Sequence, residues 1–229
     1  MNKNNKKTIL IVGGSGGIGS EIIKTIRSKK VKILSPSDRE MNLLNDASVK
    51  KAMKKILLKH GAIDVVVFSV SLPLKNKSIL NMRWRDFEDH IDLQCKGLFS
   101  IMQNLKNQIM ANHKTKFIII LTEYCIGKPP NGLADYITAK YSLMGLSKCM
   151  AAELAKYNST VNMVSPGMVY TGLISFLPPK LIEITAGKNP LKRLATPKDV
   201  ANVVKFLSSD EADYLNGVNV TVNGGGVML

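Results

Sequence analysis

Residues Thr8–Ile26 read TILIVGGSGGIGSEIIKTI. A β-branched run, Thr8–Val12, stops at a cluster of glycines, after which Ile18, Ile22, Ile23 and Ile26 return at helical spacing. The pattern is a strand, a tight turn and a helix. The turn, Gly13-Gly14-Ser15-Gly16-Gly17-Ile18-Gly19, lacks most of the side chains that would hold a pyrophosphate away from the backbone at a helix N-terminus. Its glycines admit two parses, Gly14-x-Gly16-x-x-Gly19 and Gly13-x-x-x-Gly17-x-Gly19, and spacing does not choose between them.

The alternation continues outward from this unit. Val31–Leu34 reads as a second strand, Asp46–Lys59 as a helix and Ile63–Phe68 as a third, buried strand. Asp86–Ala111 reads as one long helix with Phe87, Ile91, Leu98, Met102, Leu105 and Ile109 along its apolar stripe. Phe117–Leu121 is a strand, Tyr136 opens a helix that runs through Leu154, and Thr160–Val164 is a strand closed by Ser165-Pro166-Gly167. A helix over Asp199–Leu207 and a strand over Val218–Val222 complete the chain. Strands alternating with helices predict an α/β fold: a Rossmann-type, doubly wound parallel sheet with helices on both faces. A single domain spans 1–229, beginning with a short basic tail over 1–7. Within it, Met168–Lys188 carries Leu173, Ile174, Phe176, Leu177, Leu181 and Ile182 around Pro178-Pro179, the composition of an apolar substrate lid or of a surface helix pair.

Lysine and arginine outnumber aspartate and glutamate 32 to 17 among 229 residues, a net charge of +15. Such a balance favours acidic partners. The basic residues are scattered without aromatic interleaving, which argues against nucleic acid. No apolar run approaches the roughly 20 residues of a membrane span, and no secretory signal is present. Cys95, Cys125 and Cys149 lack metal-ligand spacing and read as reduced thiols of a cytoplasmic protein, with no metal site.

Two features carry chemistry. Tyr136 and Lys140 lie four residues apart on one helix face, about 5–6 Å between Cβ atoms. An ammonium so close favours the phenolate, which would let Tyr136 give and take a proton near neutral pH. At the end of the second strand, Ser35 presents no carboxylate to repel a ribose 2′-phosphate and Arg39 follows nearby, so NADP is slightly favoured over NAD.

These residues together resemble the short-chain dehydrogenase/reductase family over nearly the whole chain. Gly13-x-x-x-Gly17-Ile18-Gly19 is similar to its cofactor turn, Tyr136-x-x-x-Lys140 to its active-site pair, and Ser165-Pro166-Gly167 to its nicotinamide-side turn. Asn189–Arg193, Thr196–Ala201 and Val222–Gly225 are most similar to the 3-oxoacyl-acyl-carrier-protein reductase branch. The resemblance implies hydride transfer between NADP or NAD and a carbonyl or alcohol, with Tyr136 delivering the proton and Lys140 holding the ribose. It implies cofactor contacts from Gly13, Ser15, Gly16, Gly17, Ile18, Gly19, Ser35, Arg39, Asn42, Leu43, Ser69, Val70, Pro166, Gly167, Val169 and Thr171, besides the catalytic pair. An acyl substrate on an acidic carrier protein and a homo-oligomer paired through the long helices follow from the same likeness.

The chain departs from that pattern in three places. Glu123 stands thirteen residues before Tyr136, where the family has its carbonyl-orienting serine. Either a protonated Glu123 or the neighbouring Thr122 takes that role, or the reaction differs. Gln94 occupies the place of an asparagine that in the family bends the long fourth helix and holds a proton-relay water, and Phe68-Ser69-Val70-Ser71 replaces an Asn-Asn-Ala-Gly turn. A Thr122/Glu123 acid/base pair would suit nucleotide-sugar dehydratase or epimerase chemistry, and a degenerate site would suit an inactive binding subunit of an active relative.

Overall fold

The structure is a computed structural model that describes residues 6–175 and 177–228. Six strands form one parallel sheet: β1 (Lys7–Val12), β2 (Val31–Leu34), β3 (Val65–Phe68), β4 (Lys116–Ile120), β5 (Thr160–Pro166) and β6 (Asn219–Val222). Their order across the sheet is β2-β1-β3-β4-β5-β6. The chain leaves β1 for a neighbour on one side and then returns to the other, so a crevice opens at the C-terminal end of β1.

Because successive side chains of a strand point to opposite faces, each strand feeds two cores. Leu10, Val12, Val66, Phe68, Phe117 and Ile119 pack against α2 (Asp46–His60), α4 (Gly97–Asn104) and α6 (Ala134–Leu154). Ile9, Ile11, Val65, Val67, Ile118 and Ile120 pack against α1 (Gly17–Ile26) and α8 (Pro197–Ser208). This two-sided burial is why the inner strands read as unbroken apolar runs. The predicted doubly wound sheet is therefore the observed one.

The helix expected over Asp86–Ala111 is broken. It begins at Trp84 as α3 (Trp84–Ile91), widens into a π turn over Asp92–Lys96, resumes as α4, and stops at Leu105 before the short α5 (Lys106–Met110). A π turn inserts one residue into the helical ladder. Here it brings Gln94 fully inside, at the position where the resemblance places a helix-bending asparagine.

Two boundaries also move. Lys7, assigned to the tail, opens β1, and its ammonium pairs with the Asp210 carboxylate at 2.7 Å and donates to Ser208 O at 3.2 Å. β3 starts at Val65, and just before it the Asp64 carboxylate accepts the Thr8 backbone N–H at 2.6 Å. The stretch after β5 forms a 3-10 turn over Gly172–Ile174 and α7 (Pro179–Lys188). Phe176 and residues 1–5 of the tail lie outside the described residues.

α8 begins with a reciprocal cap: Thr196 Oγ1 accepts the Asp199 N–H at 3.2 Å while Asp199 Oδ2 accepts the Thr196 N–H at 2.8 Å. Arg193 clamps the same carboxylate at 2.6 Å. Thr196→Ala should lower the unfolding free energy by about 1 kcal/mol, read by urea titration with an unchanged slope.

Candidate active site

The C-terminal ends of the strands bring the glycine turn, the β4 end and the β5 end together. Gly13 follows β1 with φ of 84°, and a Cβ there would stand 2.3 Å from Ser69 O. A Cβ on Gly19 would stand 2.1 Å from Gly13 O. Any side chain at either position would push the turn apart. Gly19 belongs to both parses, and a Cβ on Gly14 would meet the Ser35 hydroxyl at 2.0 Å. A Cβ on Gly16, however, would meet only Gly13 O at 3.4 Å while one on Gly17 would meet Thr171 at 2.7 Å, so Gly13-x-x-x-Gly17-x-Gly19 fits the turn better. Gly16 precedes α1 without a side-chain cap, leaving the first-turn N–H groups for an anion. That uncapped glycine cradle fits a dinucleotide pyrophosphate.

Around the cradle, Ser35 ends β2 with its hydroxyl against Gly14. Arg39 is exposed on the following turn, in which Glu40 is held by the Ser37 N–H and hydroxyl at 2.8 and 2.9 Å. Asn42 is exposed, with its N–H donated to Ser48 Oγ at 3.1 Å. Leu43 differs from the others because its side chain is buried in the core beneath Gly97, which leaves only its backbone to face a ligand. Ser69 donates its N–H to Val12 O at 2.9 Å, fixing the β3 end beside the turn, and Val70 packs on the core. Ser15 is exposed at the turn's tip.

On α6, Tyr136 and Lys140 are both buried. Lys140 Nζ lies 5.7 Å from the Tyr136 ring centroid and donates to Ile120 O, the last residue of β4, at 2.8 Å. Burial pushes the Lys140 ammonium down from 10.5 to about 8. The expectation of a phenolate favoured by Lys140 is reversed here. Burial is the largest influence on the Tyr136 phenol and drives it above its ordinary value, with a hydrogen bond from Thr122 working against that rise. Loss of water around the buried oxygen disfavours the charged phenolate, and that effect exceeds the opposing influence of Thr122. The phenol is therefore a proton donor in this state.

Thr122 and Glu123 part company at the β4 end. Thr122 stays extended, is buried and faces Tyr136. Glu123 starts a 3-10 turn, and its carboxyl oxygens lie 3.3 Å from where a Cβ would stand on Gly167 and on Gly226. Burial raises its carboxyl above the ordinary value, with the nearby Asn223 working against that rise. Glu123 thus braces the segment after β6.

A cavity of about 320 Å³ opens in front of the phenol. Thr122, Tyr124 and Tyr136 form its polar wall, and Ile18, Pro166, Gly167, Val169 and Thr171 line it from the cofactor side. Leu173, Ile174, Leu177 and Leu181 close it from the expected lid stretch. Gly167 is held by donation of its N–H to Val222 O at 3.1 Å.

Behind Tyr136 lie two residues that motif reading missed. Asp135 is buried and its Oδ1 accepts the Tyr136 N–H at 2.7 Å. His90, also buried, sets its Nε2 3.7 Å from Asp135 Oδ2 and its ring edge-on to Tyr136, centroids 6.1 Å apart. Gln94 follows His90 by four residues on the π turn that packs on α6. The available signal was that spacing: two polar residues on the buried stripe of a helix.

Residues 20–226 match a family model described as Enoyl-(Acyl carrier protein) reductase. The chain belongs to the short-chain dehydrogenase/reductase family. Within it, the chain is similar to the 3-oxoacyl-[acyl-carrier-protein] reductase of Staphylococcus epidermidis, 32% identical over 93% of this chain and 85% of that protein. The Rickettsia felis 3-oxoacyl-[acyl-carrier-protein] reductase is 30% identical over 97% of this chain and 98% of its own length. A solved 3-ketoacyl-(acyl-carrier-protein) reductase from Brucella melitensis, complexed with NADH, shares the fold with a TM-score of 0.87 at 21% identity, covering 98% and 99% of the two chains. Among the described residues, no helix is long and apolar enough to cross a membrane, and no cluster of His, Cys, Asp and Glu is arranged for a metal.

The buried lysine makes a pH prediction. The folded Lys140 loses its proton near 8 and the unfolded one near 10.5, so between those values the unfolded chain binds more protons and stability rises with pH. Tyr136 acts in the opposite direction above about 10, where the unfolded phenol ionises first. The Cys125 thiol, pushed up by burial to about 11, opposes the rise as well. The lysine is therefore read by difference: Lys140→Met should fall behind the wild type as pH goes from 8 to 10, measured as unfolding free energy against pH.

Proposed function

We propose that this chain is an NADP- or NAD-dependent reductase of the 3-oxo group of an acyl chain carried on an acyl carrier protein. The observation that supports it is a buried phenol, Tyr136, beside Thr122 at the polar end of an otherwise apolar cavity next to a dinucleotide cradle. The names of the relatives, 3-oxoacyl-[acyl-carrier-protein] reductases, agree with it.

The glycine turn and the α1 N-terminus hold the pyrophosphate, Ser35 and Arg39 meet the adenosine ribose, and the Pro166–Gly167 turn meets the nicotinamide end. Lys140, with two donors beyond its bond to Ile120 O, reaches the nicotinamide ribose. When bound, the nicotinamide supplies the hydride. Tyr136 gives its proton to the carbonyl oxygen as charge develops there, and the Thr122 hydroxyl donates to the same oxygen without adding a repelling charge. Thr122 takes the orienting role, and Glu123 keeps the segment after β6 on the nicotinamide-side turn. With Glu123 directed away from the phenol, the pair is poorly placed for dehydratase or epimerase chemistry at one carbon.

The apolar stretch over Gly172–Lys188 serves as the lid over the acyl chain. Its helix α7 has no buried residue of its own, so it is held only lightly and closes on a ligand. The positive balance of the surface suits an acidic carrier. The long helices around α4 and α6 are the proposed contact between subunits of a homo-oligomer. NADP is the proposed cofactor, since no carboxylate points from Ser35 and Glu40 is engaged by Ser37.

Purified protein should oxidise NADPH, and NADH more slowly, on addition of acetoacetyl thioester, followed at 340 nm. Tyr136→Phe should lower kcat by about 10²–10⁴-fold and Thr122→Val by about 10²-fold, whereas Glu123→Gln should retain most of it. A Glu123→Gln loss as deep as that of Tyr136→Phe would return the orienting role to Glu123. Arg39→Ala should raise KM for NADPH several-fold and leave KM for NADH unchanged, which is the test of the 2′-phosphate contact.

A further inference from the structure

His90, Asp135 and Gln94 are buried polar groups that the reaction as described does not use. Asp135 joins two things at once. One carboxylate oxygen fixes the Tyr136 backbone N–H at 2.7 Å, and the other faces His90 Nε2 across 3.7 Å. His90 in turn lays its ring edge against the Tyr136 ring, at an interplanar angle of 74°. Its Nδ1 has no protein partner, and neither polar atom of the Gln94 amide has one. Such groups are costly to bury without a hydrogen-bond partner, and their presence calls for a reason. What they touch is the phenol's own helix.

We propose that His90 and Asp135 form a positioning pair for Tyr136, Asp135 holding its backbone and the imidazole its ring, so that the charge of His90 governs the activity of the phenol. The inference rests on Tyr136 being the proton donor of the preceding section. The groups facing His90 set its charge. Asp135 of α6 and Asp89 of its own helix favour the imidazolium, while burial, Lys140 of α6 and Lys75 of the loop before α3 oppose it, and the net direction is below the ordinary imidazole value. In the working state His90 is neutral, and its charge together with those of Asp135 and Lys140 sums to zero. Adding a proton to His90 places a second cation beside Lys140 and draws the imidazole toward Asp135, away from the phenol ring. Activity therefore falls as pH falls through the His90 midpoint.

The chain has three histidines and six tyrosines, which makes both partners observable by NMR in the full-length protein. With His90 assigned through His90→Gln and the Tyr136 ring carbons through Tyr136→Phe, the imidazole of His90 should titrate with a midpoint below about 6.5. The Tyr136 ring signal should move with that same midpoint in the wild type and be flat in His90→Gln. Asp135→Asn keeps an acceptor for the Tyr136 N–H and removes the charge, so it should shift both titrations to lower pH. In turnover of acetoacetyl thioester with NADPH, the wild-type kcat should show an acid limb at that midpoint. His90→Gln should lack the limb, and Asp135→Asn should move it down. A Tyr136 signal that ignores the His90 titration, or an acid limb kept in place by His90→Gln, overturns the proposal. If no nicotinamide-dependent turnover occurs at all, the proposed reaction fails, and the coupling of the two NMR titrations still decides whether the pair exists.

Discussion

The hydrogen bond from Lys140 Nζ to Ile120 O ties the helix that carries Tyr136 to the strand that ends at Thr122. It crosses from α6 to the last residue of β4 inside the protein, where neither group can turn to water instead. Breaking it would leave a buried ammonium with one fewer acceptor and a buried carbonyl with none from that helix. The tie fixes the distance at which phenol and threonine hydroxyl face the cavity. It also explains why the lysine is buried deeply enough to be pushed down to about 8. One contact thus couples packing, electrostatics and the position of the reacting group.

The site has a rigid side and a light side. The rigid side is made of strand ends and α6, with backbone bonds such as Gly167 N–H to Val222 O and Leu121 N–H to Val164 O locking β4, β5 and β6 in register. Glu123, Asn223 and Asn189 extend that lock into the last turn, Asn189 Nδ2 donating to Asn223 O at 2.7 Å. The light side is the apolar stretch after β5, whose leucines and isoleucine face the cavity while its helix buries no residue completely. Such a division suits a reaction that needs fixed donors and a wall able to move for an acyl chain.

Much of the fold was legible because its signals are local. β-Branched runs, glycine turns and helical spacing report the conformation of the residues that show them, and Thr8–Ile26, Asp46–Lys59 and Phe117–Leu121 are found within a residue or two of where they were read. The bend near Gln94 was legible only through the family resemblance, and its form as a π turn was not. Gln94 lies inside the protein where the π turn packs on α6, with neither amide atom hydrogen-bonded, and that packing is not visible in the spacing around Ile91. Tyr136 and Lys140 were legible as a pair at four-residue spacing, but the direction of their influence was not. Burial outweighs the attraction between them, and burial belongs to the assembled core. Thr122 and Glu123 could not be told apart for a similar reason: strand alternation places them on opposite faces, yet which face looks at the phenol depends on where the 3-10 turn begins.

By itself the sequence determined the alternating parallel sheet, the glycine cradle at its switch point, the Tyr136–Lys140 pair and the apolar stretch beside them, because each is written in spacing along one segment. Only the tertiary structure decided that Gly13 is held by backbone contact while Gly16 has room to spare, that Thr122 faces the phenol while Glu123 braces the chain's end, and that His90 and Asp135 stand behind Tyr136. Those decisions depend on distances between segments, such as the 2.3 Å that separates an added Cβ on Gly13 from Ser69 O. Spacing within a segment sets which way a side chain can point, and packing between segments sets what it meets there.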